Sequence, residues 1–558
     1  MLNPGRLLLA FPLLALSCTG SGGGPAELVL RGGSVWTGVQ DSPMAEALAI
    51  KHGKILAVGT SAEIQTLIGS GTQIVELDGR MALPGFVDSH THFLPGGFQL
   101  SSVDLRNAAT PEEFAHRIGA FAETVPAGTW ITGGDWDHEM WGGELPAREW
   151  IDALTTDHPV FVSRLDGHMA LANSLALELG GVTRATEVPP GGEMVVDPAS
   201  GEPTGVLKDE AMGLVFRAIP EYSEEELDGA LDAAIAHALS QGVTQTHHMG
   251  TSWQEFETFR RAQADGRLKM RIYSVVPLSD WERLQEYVES NGRGDDRLWW
   301  GGLKGFVDGS LGSTTAWFYD PYTDEPGTSG LLLTDTASLR KWAVAGDKAG
   351  FQLIIHAIGD RANDWLLDLF QDARDANGQR DRRFRIEHAQ HLSREALPRF
   401  SDLGVIPAMQ PYHAIDDGRW AEKRIGPERI RTTYAFRSLL DAGAALSFGS
   451  DWTVAPMNVR QGIYAALTRR TFDGANPDGW VPEEKITLDE ALVAYTLGSA
   501  RAGFMEGKVG SLEPGKYADL TVLSRDLFQV DPVTIPQVDV DLTIVEGDIV
   551  FRREGSDD

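Results

Sequence analysis

The chain has 558 residues, of which 42% are apolar and 23% are charged, a composition typical of globular proteins rather than disordered or fibrous ones. Acidic side chains outnumber basic ones by 80 to 48, and the resulting net charge of −32 argues against nucleic-acid binding, which needs basic patches. The single cysteine excludes an intramolecular disulfide and a metal site built from several thiolates.

Residues 1–17 predict a secretory signal peptide. Arg6 is followed by an uncharged apolar run over 7–16, which is too short to cross a bilayer as a helix. Residues 14–18, LALSC, resemble a bacterial lipobox, whose cysteine becomes the lipidated first residue of the mature protein. We therefore expect export to the periplasm or cell surface, a lipid anchor at Cys18 and a flexible tether over 18–26. The alternative is a plain signal peptide with an incidental cysteine.

Both ends of the mature chain are rich in strand-like patterns. Short apolar runs with turn dipeptides between them occur over 27–80 and again over 508–554. We expect these two segments to combine into one small β-sandwich domain. The middle of the chain, 81–507, alternates strand-like and helix-like patterns instead, which is typical of βα units around a parallel sheet.

Eight strand-like runs in this middle part predict a (β/α)8 TIM barrel, an α/β fold whose chemistry sits at the C-terminal ends of the strands. The runs are 82–90, 243–248, 270–276, 302–307, 352–356, 384–388, 405–410 and 445–450. Residues 93–240 do not fit the repeat, so we expect a large insertion after the first strand. At its end, Ser223 and Glu226 predict a capped helix just before the second strand.

The most specific motif is PGFVDSHTH, at the end of the first predicted strand. Because side chains alternate along a strand, His90 and His92 are expected to face the same side and to hold one metal ion. The alternative is that both histidines serve only in packing or lie at the surface. The surrounding motif and its position at a strand end argue against this alternative.

Lys304 lies inside the apolar fourth strand, where an ammonium group is costly to bury and its pKa falls readily. Reaction with CO2 would convert the amine to a carbamate, whose two oxygens can each bind a metal ion. The alternative is a barrel lysine paired with a carboxylate such as that of Asp308.

Three further candidates follow later strands. His356 and His388 end the fifth and sixth strands, and Asp451 follows the eighth. Each of them alone could equally be a packing residue or a turn cap. Together with His90 and His92 they follow strand ends that meet at one rim of a barrel.

These motifs together resemble the amidohydrolase superfamily, in its amidohydrolase 3 branch of YtcJ-like and N-substituted formamide deformylase-like proteins. The likeness covers 28–552 and rests on the strings PGFVDSHTH, DGHMALANSLAL, LKGFVDGSLGSTTA, IIHAIGD, IEHAQ, SFGSDW and GSLEPGKYADLTVL. It implies a metal-dependent barrel enzyme that hydrolyses carbon–nitrogen bonds other than peptide bonds.

The resemblance also implies a centre of two divalent metal ions, for which the ligand types favour zinc. Six side chains would hold them: His90, His92 and Asp451 the more buried ion, His356 and His388 the outer ion, and carboxylated Lys304 both. A metal-bridging hydroxide would attack the substrate, and Asp451 would move its proton to the leaving nitrogen as general base and acid.

The expected substrate is a small molecule with an amide or an N-acyl or N-formyl amine, and resembling proteins are usually homodimers. Candidate substrate contacts are His168, His248 and Asp308. His168 would come from the insertion and close over the pocket. His247 and His248 are adjacent, so an extended strand can aim only one of them into the barrel, and the sequence does not decide which.

Two other functions fit the sequence less well. The first is a deaminase or related hydrolase of the same fold that uses a single metal ion, which metal content would reveal. The second is a non-catalytic surface lipoprotein on a decayed scaffold, against which the retention of all six candidate ligands argues.

Overall fold

The computed structural model describes residues 24–555. The predicted signal peptide over 1–17, the predicted lipidation site Cys18 and most of the predicted tether lie outside these residues. Within the described part of the chain, no helix is both long enough and apolar enough to cross a membrane.

The described residues form 22 strands and 17 α-helices, numbered in chain order. The strands are β1 (Leu28–Trp36), β2 (Met44–Lys51), β3 (Lys54–Gly59), β4 (Gln73–Glu76), β5 (Met81–Pro84), β6 (Phe86–Thr91), β7 (Val103–Asp104), β8 (Gly133–Trp136), β9 (Phe161–Arg164), β10 (Met169–Ala172), β11 (Gly192–Val196), β12 (Pro203–Asp209), β13 (Val243–Met249), β14 (Arg271–Pro277), β15 (Leu298–Phe306), β16 (Gln352–Ala357), β17 (Arg385–His388), β18 (Ile406–Met409), β19 (Ser447–Phe448), β20 (Leu520–Leu523), β21 (Val540–Val545) and β22 (Asp548–Arg552). The helices are α1 (Ser61–Gln65), α2 (Phe93–Gln99), α3 (Pro111–Ala122), α4 (Ser174–Gly180), α5 (Gly213–Phe216), α6 (Glu224–Ser240), α7 (Trp253–Ala264), α8 (Trp281–Asn291), α9 (Thr336–Lys348), α10 (Asp360–Asn377), α11 (Ala396–Leu403), α12 (Pro411–Asp417), α13 (Ala421–Arg429), α14 (Phe436–Asp441), α15 (Val459–Thr468), α16 (Leu488–Val493) and α17 (Ser499–Ala502).

Eight parallel strands form the barrel that the sequence predicts. Their order is β6, β13, β14, β15, β16, β17, β18 and β19, and each pairs in parallel with the next. The barrel is nearly closed, because the backbone N–H of Asp451, just after β19, donates to the carbonyl of His90 in β6 (2.8 Å). The predicted α/β barrel fold is therefore confirmed.

The first and last barrel strands differ from the prediction in their limits. The run 82–90 is divided between two sheets, because β5 pairs with β20 outside the barrel and only β6 enters it. Gly85 separates the two strands, and a Cβ there would meet the Thr244 side chain at 2.3 Å, so only glycine fits this junction. The eighth strand covers 447–448 rather than 445–450.

Strands from both chain ends form a second sheet of eight strands. Seven follow the order β22, β21, β20, β5, β1, β2, β3, and β4 pairs with β1. Apolar side chains of the two ends, such as Leu30 and Leu520, share one core cluster. Arg271 of β14 ties this sheet to the barrel, since its guanidinium pairs with Asp519 (2.6 Å) and Glu546 (2.9 Å).

A third sheet lies in the segment between the first and second barrel strands. Its order is β11, β12, β10, β9, β8, β7, and two apolar clusters pack against it. Helix α6 follows this sheet and begins at the predicted capping box of Ser223 and Glu226. The turn between β9 and β10 reaches the mouth of the barrel and brings Asp166 and His168 to it.

Candidate metal centre

The six candidate metal ligands line one cavity at the C-terminal rim of the barrel. Four of them lie near the ends of β6, β15, β16 and β17, and the other two follow β6 and β19. The six are His90, His92, Lys304, His356, His388 and Asp451. The cavity is small, about 80 Å³. Residues far apart in the sequence meet here because all parallel barrel strands end at the same rim.

Asp451 lies at the centre of this group. Its Oδ1 is 3.4 Å from Nε2 of His90 and 3.4 Å from Nε2 of His92. Ligand atoms of His90, His388 and Asp451 all lie within 4.8 Å of one another. Since metal–ligand bonds to nitrogen and oxygen are about 2.0–2.2 Å long, these atoms can share one ion with little rearrangement.

The environment of the Asp451 carboxylate is suited to a bound metal ion. Its Oδ1 is buried and accepts no hydrogen bond among the described residues, which is costly for a carboxylate. The Nδ1 of His90 is hydrogen-bonded to the Glu387 carboxylate, so its Nε2 presents a lone pair to Asp451. Two electron pairs that face each other across 3.4 Å are stabilised by a cation between them.

Burial also prepares the histidines for metal binding. The pKa values of His90, His356 and His388 lie well below their usual range, chiefly because the interior of the barrel disfavours the charged imidazolium. Neutral imidazole is the form that binds metal ions. The three rings are therefore competent ligands across the physiological pH range.

Each of these histidines is oriented by a partner on its other ring nitrogen. The pairs are His90 with the Glu387 carboxylate, His388 with Gln410 Oε1 (2.8 Å) and His356 with the carbonyl of Gly309 (3.0 Å). Such partners fix the ring orientation and the tautomer, and their loss weakens metal binding.

Glu387 is in turn held by Arg385, which also contacts His247. Arg385 donates to both Glu387 oxygens (2.8 and 3.0 Å) and its Nη1 lies 2.9 Å from Nδ1 of His247. All three side chains are fully buried beneath His90. Of the two adjacent histidines in β13, His247 is therefore the one that faces the barrel interior, and it acts on the metal centre only through Arg385 and Glu387.

Two of the candidate substrate contacts, His248 and Asp308, do not line the cavity. His248 faces outward from β13, where its Nδ1 accepts the backbone N–H of Phe93 (2.8 Å). The Asp308 carboxylate accepts three backbone N–H groups, from Trp317 (2.7 Å), Ile358 (2.9 Å) and Gly359 (2.8 Å). Asp308 thus ties together the loops that follow β15 and β16.

His168 is the predicted substrate contact that does line the cavity. Its Nδ1 is 2.6 Å from Asp209 Oδ1, and its ring lies 5.3 Å from the His356 ring. Asp209 adopts φ 47°, an uncommon conformation for a residue with a side chain, and such strain clusters at functional sites. Asp209 and the insertion sheet therefore hold His168 rigidly against the candidate metal ligands.

Three further residues at the site, Glu387, Gln410 and His413, are not among those predicted from the sequence. The Nε2 of His413 is 3.9 Å from Asp451 Oδ2 and forms no hydrogen bond with the described residues. Its ring stacks on His388 at 6.4 Å. The string Met-Gln-Pro-Tyr-His directly after the seventh strand is the signal that could have revealed Gln410 and His413.

Known proteins resemble this chain over nearly its whole length. The sequence profile of the amidohydrolase family matches residues 73–551. The protein LONG AFTER FAR-RED 3 of Arabidopsis thaliana is 41% identical over 91% of this chain and 89% of its own. YtcJ of Bacillus subtilis is 30% identical (94% and 100% covered), and the N-substituted formamide deformylase of Arthrobacter pascens is 28% identical (95% and 99% covered).

Solved structures show the same architecture. A metal-dependent hydrolase from Pyrococcus horikoshii superposes with a TM-score of 0.73 at 30% identity, over 91% of this chain and 99% of its own. A zinc-bound adenosine deaminase from Xanthomonas campestris has a TM-score of 0.53 at 14% identity (94% and 93% covered), which shows a shared fold only.

Replacing Glu387 by glutamine should weaken metal binding, because it removes the charge that orients His90 while keeping the side-chain shape. We expect the affinity for zinc to fall by about 10- to 100-fold, measured by competition with a chromophoric chelator. Glu484→Gln is the matched control, since Glu484 is equally buried but binds Ser438 (2.9 Å) away from the cavity. Unchanged zinc affinity in Glu387→Gln, or an equal loss in both variants, would contradict this role.

Proposed function

Because this chain belongs to the amidohydrolase family, as its motifs predicted, we propose that it is an exported, metal-dependent hydrolase of small non-peptide amides. Members of the family hydrolyse carbon–nitrogen bonds other than peptide bonds, and this chain is an enzyme of that class. The observation that carries the proposal is the buried, unpaired Asp451 oxygen that faces two histidine nitrogens at 3.4 Å.

Two divalent ions, preferably zinc, are the proposed cofactors. His90, His92 and Asp451 would hold one ion and His356 with His388 the other. All five line the same cavity, and the grouping of His388 with His90 and Asp451 within 4.8 Å would make the two ions neighbours. Bound divalent ions supply Lewis acidity, which polarises a carbonyl group and lowers the pKa of water.

Carboxylated Lys304 is the proposed bridge between the two ions. Its Nζ is buried and lies 3.4 Å from Nε2 of His90. Burial lowers the Lys304 pKa to about 8, so about a tenth of the amine is uncharged at pH 7. The neutral amine adds to CO2 and releases one proton, which leaves a carbamate with two oxygen ligands.

Asp451 is the proposed general base and general acid. Its carboxylate is central in the cavity, and its Oδ1 accepts no hydrogen bond from the described residues. In the proposed reaction it takes a proton from the attacking water and returns it to the leaving nitrogen. An amine leaves poorly without that proton, so the transfer is needed for cleavage.

The proposed substrates are small N-formyl or N-acyl amines. The small cavity of about 80 Å³ favours a compact substrate over a polypeptide. A relative at 28% identity is named for N-substituted formamides, which supports the same bond type here. His168, held by Asp209, would position the substrate from the insertion side of the cavity.

Export and lipid anchoring are proposed from the sequence of the N-terminal segment alone. The apolar run over 7–16 and the lipobox-like residues before Cys18 support a lipoprotein of the periplasm or cell surface. The mass of the mature N-terminus tests this proposal. A lipid-modified Cys18 as the first residue is expected, and an uncleaved or unmodified N-terminus would contradict it.

The hydrolase activity can be tested with a panel of N-formyl amines, N-acyl amines, hydantoins and lactams and the zinc-loaded protein. We expect turnover of at least one class, and a fall in kcat/KM of about 10²- to 10⁴-fold in Asp451→Asn, because proton transfer is lost. Asp375→Asn is the control, since Asp375 is exposed and binds only Gln371. No turnover of any amide, or full activity of Asp451→Asn, would refute the proposed reaction.

The bridging role of Lys304 predicts two ions per chain and a carbamate signal. Protein prepared in ¹³C-bicarbonate should show a carbamate resonance by NMR and about two zinc equivalents by mass spectrometry. Lys304→Ala should lose the resonance and at least one zinc equivalent. One ion per chain with unmodified Lys304 in the wild type would instead support a single-metal hydrolase or deaminase.

A further inference from the structure

A second cavity, of about 250 Å³, lies at the end of the barrel opposite the candidate metal centre. Its wall includes residues that precede β17, β18 and β19, so it opens at the N-terminal ends of the strands. Five arginines line it: Arg374, Arg380, Arg382, Arg383 and Arg501. Such a concentration of positive charge is unusual in a chain with a net charge of −32.

The arginines that line this cavity outnumber the carboxylates that pair with them. Asp347 is fully buried and is shared by Arg380 and Arg382 (2.5 and 2.8 Å). One carboxylate therefore balances two guanidinium groups, which leaves one positive charge in excess. Water at the cavity mouth screens this excess only in part, because Arg382 is buried.

Two more guanidinium groups in the wall have no acidic partner. Arg374 contacts only the backbone carbonyl of Asp402, at 3.4 Å. The side chain of Arg501 forms no ion pair or hydrogen bond with any described residue. Arg383 pairs with two carboxylates, Asp381 (2.9 Å) and Glu506 (2.7 Å). The five arginines therefore face three carboxylates, which leaves a net excess of two positive charges.

One buried donor in this cavity also lacks an acceptor. Arg382 is 5% exposed, and its Nη1 forms no hydrogen bond with the described residues. An unsatisfied buried donor on a charged group is costly, so an acceptor near Nη1 would be stabilising. This orphan donor is independent of the charge count, and the two observations together favour an acceptor that carries negative charge.

We infer that this cavity, defined as the arginine cavity, binds a phosphate group. The arginines that line the cavity come from three separate parts of the chain: α10, the segment 380–383 and α17. Donors in several directions suit a tetrahedral oxyanion better than a planar carboxylate, and the fork of arginine matches phosphate oxygens. Inorganic phosphate and the phosphate of an anionic lipid headgroup share this chemistry.

Isothermal titration calorimetry with inorganic phosphate tests the inference on the full chain, with chloride at the same ionic strength as the reference. We expect saturable phosphate binding by the wild type. Arg374→Gln/Arg501→Gln should weaken it by about tenfold or more, because hydrogen bonds to charged groups are lost. These two side chains are partly exposed or exposed, so the variant is expected to fold.

A matched control removes the same charge elsewhere. Arg184→Gln/Arg394→Gln changes two exposed arginines outside the arginine cavity and should leave phosphate affinity unchanged. Co-sedimentation with phosphatidylglycerol vesicles forms the second arm, with phosphatidylcholine vesicles as reference. Arginine-dependent binding in either arm supports the inference and identifies the source of the phosphate. No phosphate-specific binding in both arms, or equal affinity in the cavity and control variants, would overturn it.

Discussion

The buried negative charge of Asp451 is the constraint on which the rest of the site depends. A buried carboxylate oxygen that accepts no hydrogen bond from any described residue is costly in a barrel interior. The nearest ring nitrogens belong to His90 and His92, and His90 turns a lone pair rather than a proton toward Asp451, because its other nitrogen is hydrogen-bonded to Glu387. A cation bound between these atoms would stabilise the carboxylate oxygen and the histidine lone pair. In an enzyme of the amidohydrolase family, such a cation would supply Lewis acidity.

A series of buried side chains inside the barrel supports His90. His247 contacts Arg385, Arg385 holds both oxygens of Glu387, and Glu387 orients His90. The series reaches from the second strand to the sixth and then to the first, so the metal-facing ring is fixed by strands that are distant in sequence. Rigid support of this kind is what a metal centre needs to keep its ligand geometry.

Much of this architecture is predictable because it follows from periodicity. Apolar runs with helices between them predict all eight barrel strands, and the capping box predicts the start of α6. The role of Glu387 is not predicted, because alternation along a strand places the side chains of Glu387 and His388 on different faces. The strand ends there with φ 73° at His388, which lets both neighbours face the centre. The hydrogen bonds of Asp308 are not readable from periodicity, because the three backbone N–H groups that bind it belong to loops that meet only in the folded chain.

An anomalous-diffraction map of zinc-loaded crystals tests the central claim most directly. The account predicts a strong zinc peak about 2.0–2.2 Å from Nε2 of His90, Nε2 of His92 and a carboxylate oxygen of Asp451. A map without a peak at this position, or with zinc bound only at the protein surface, would contradict it.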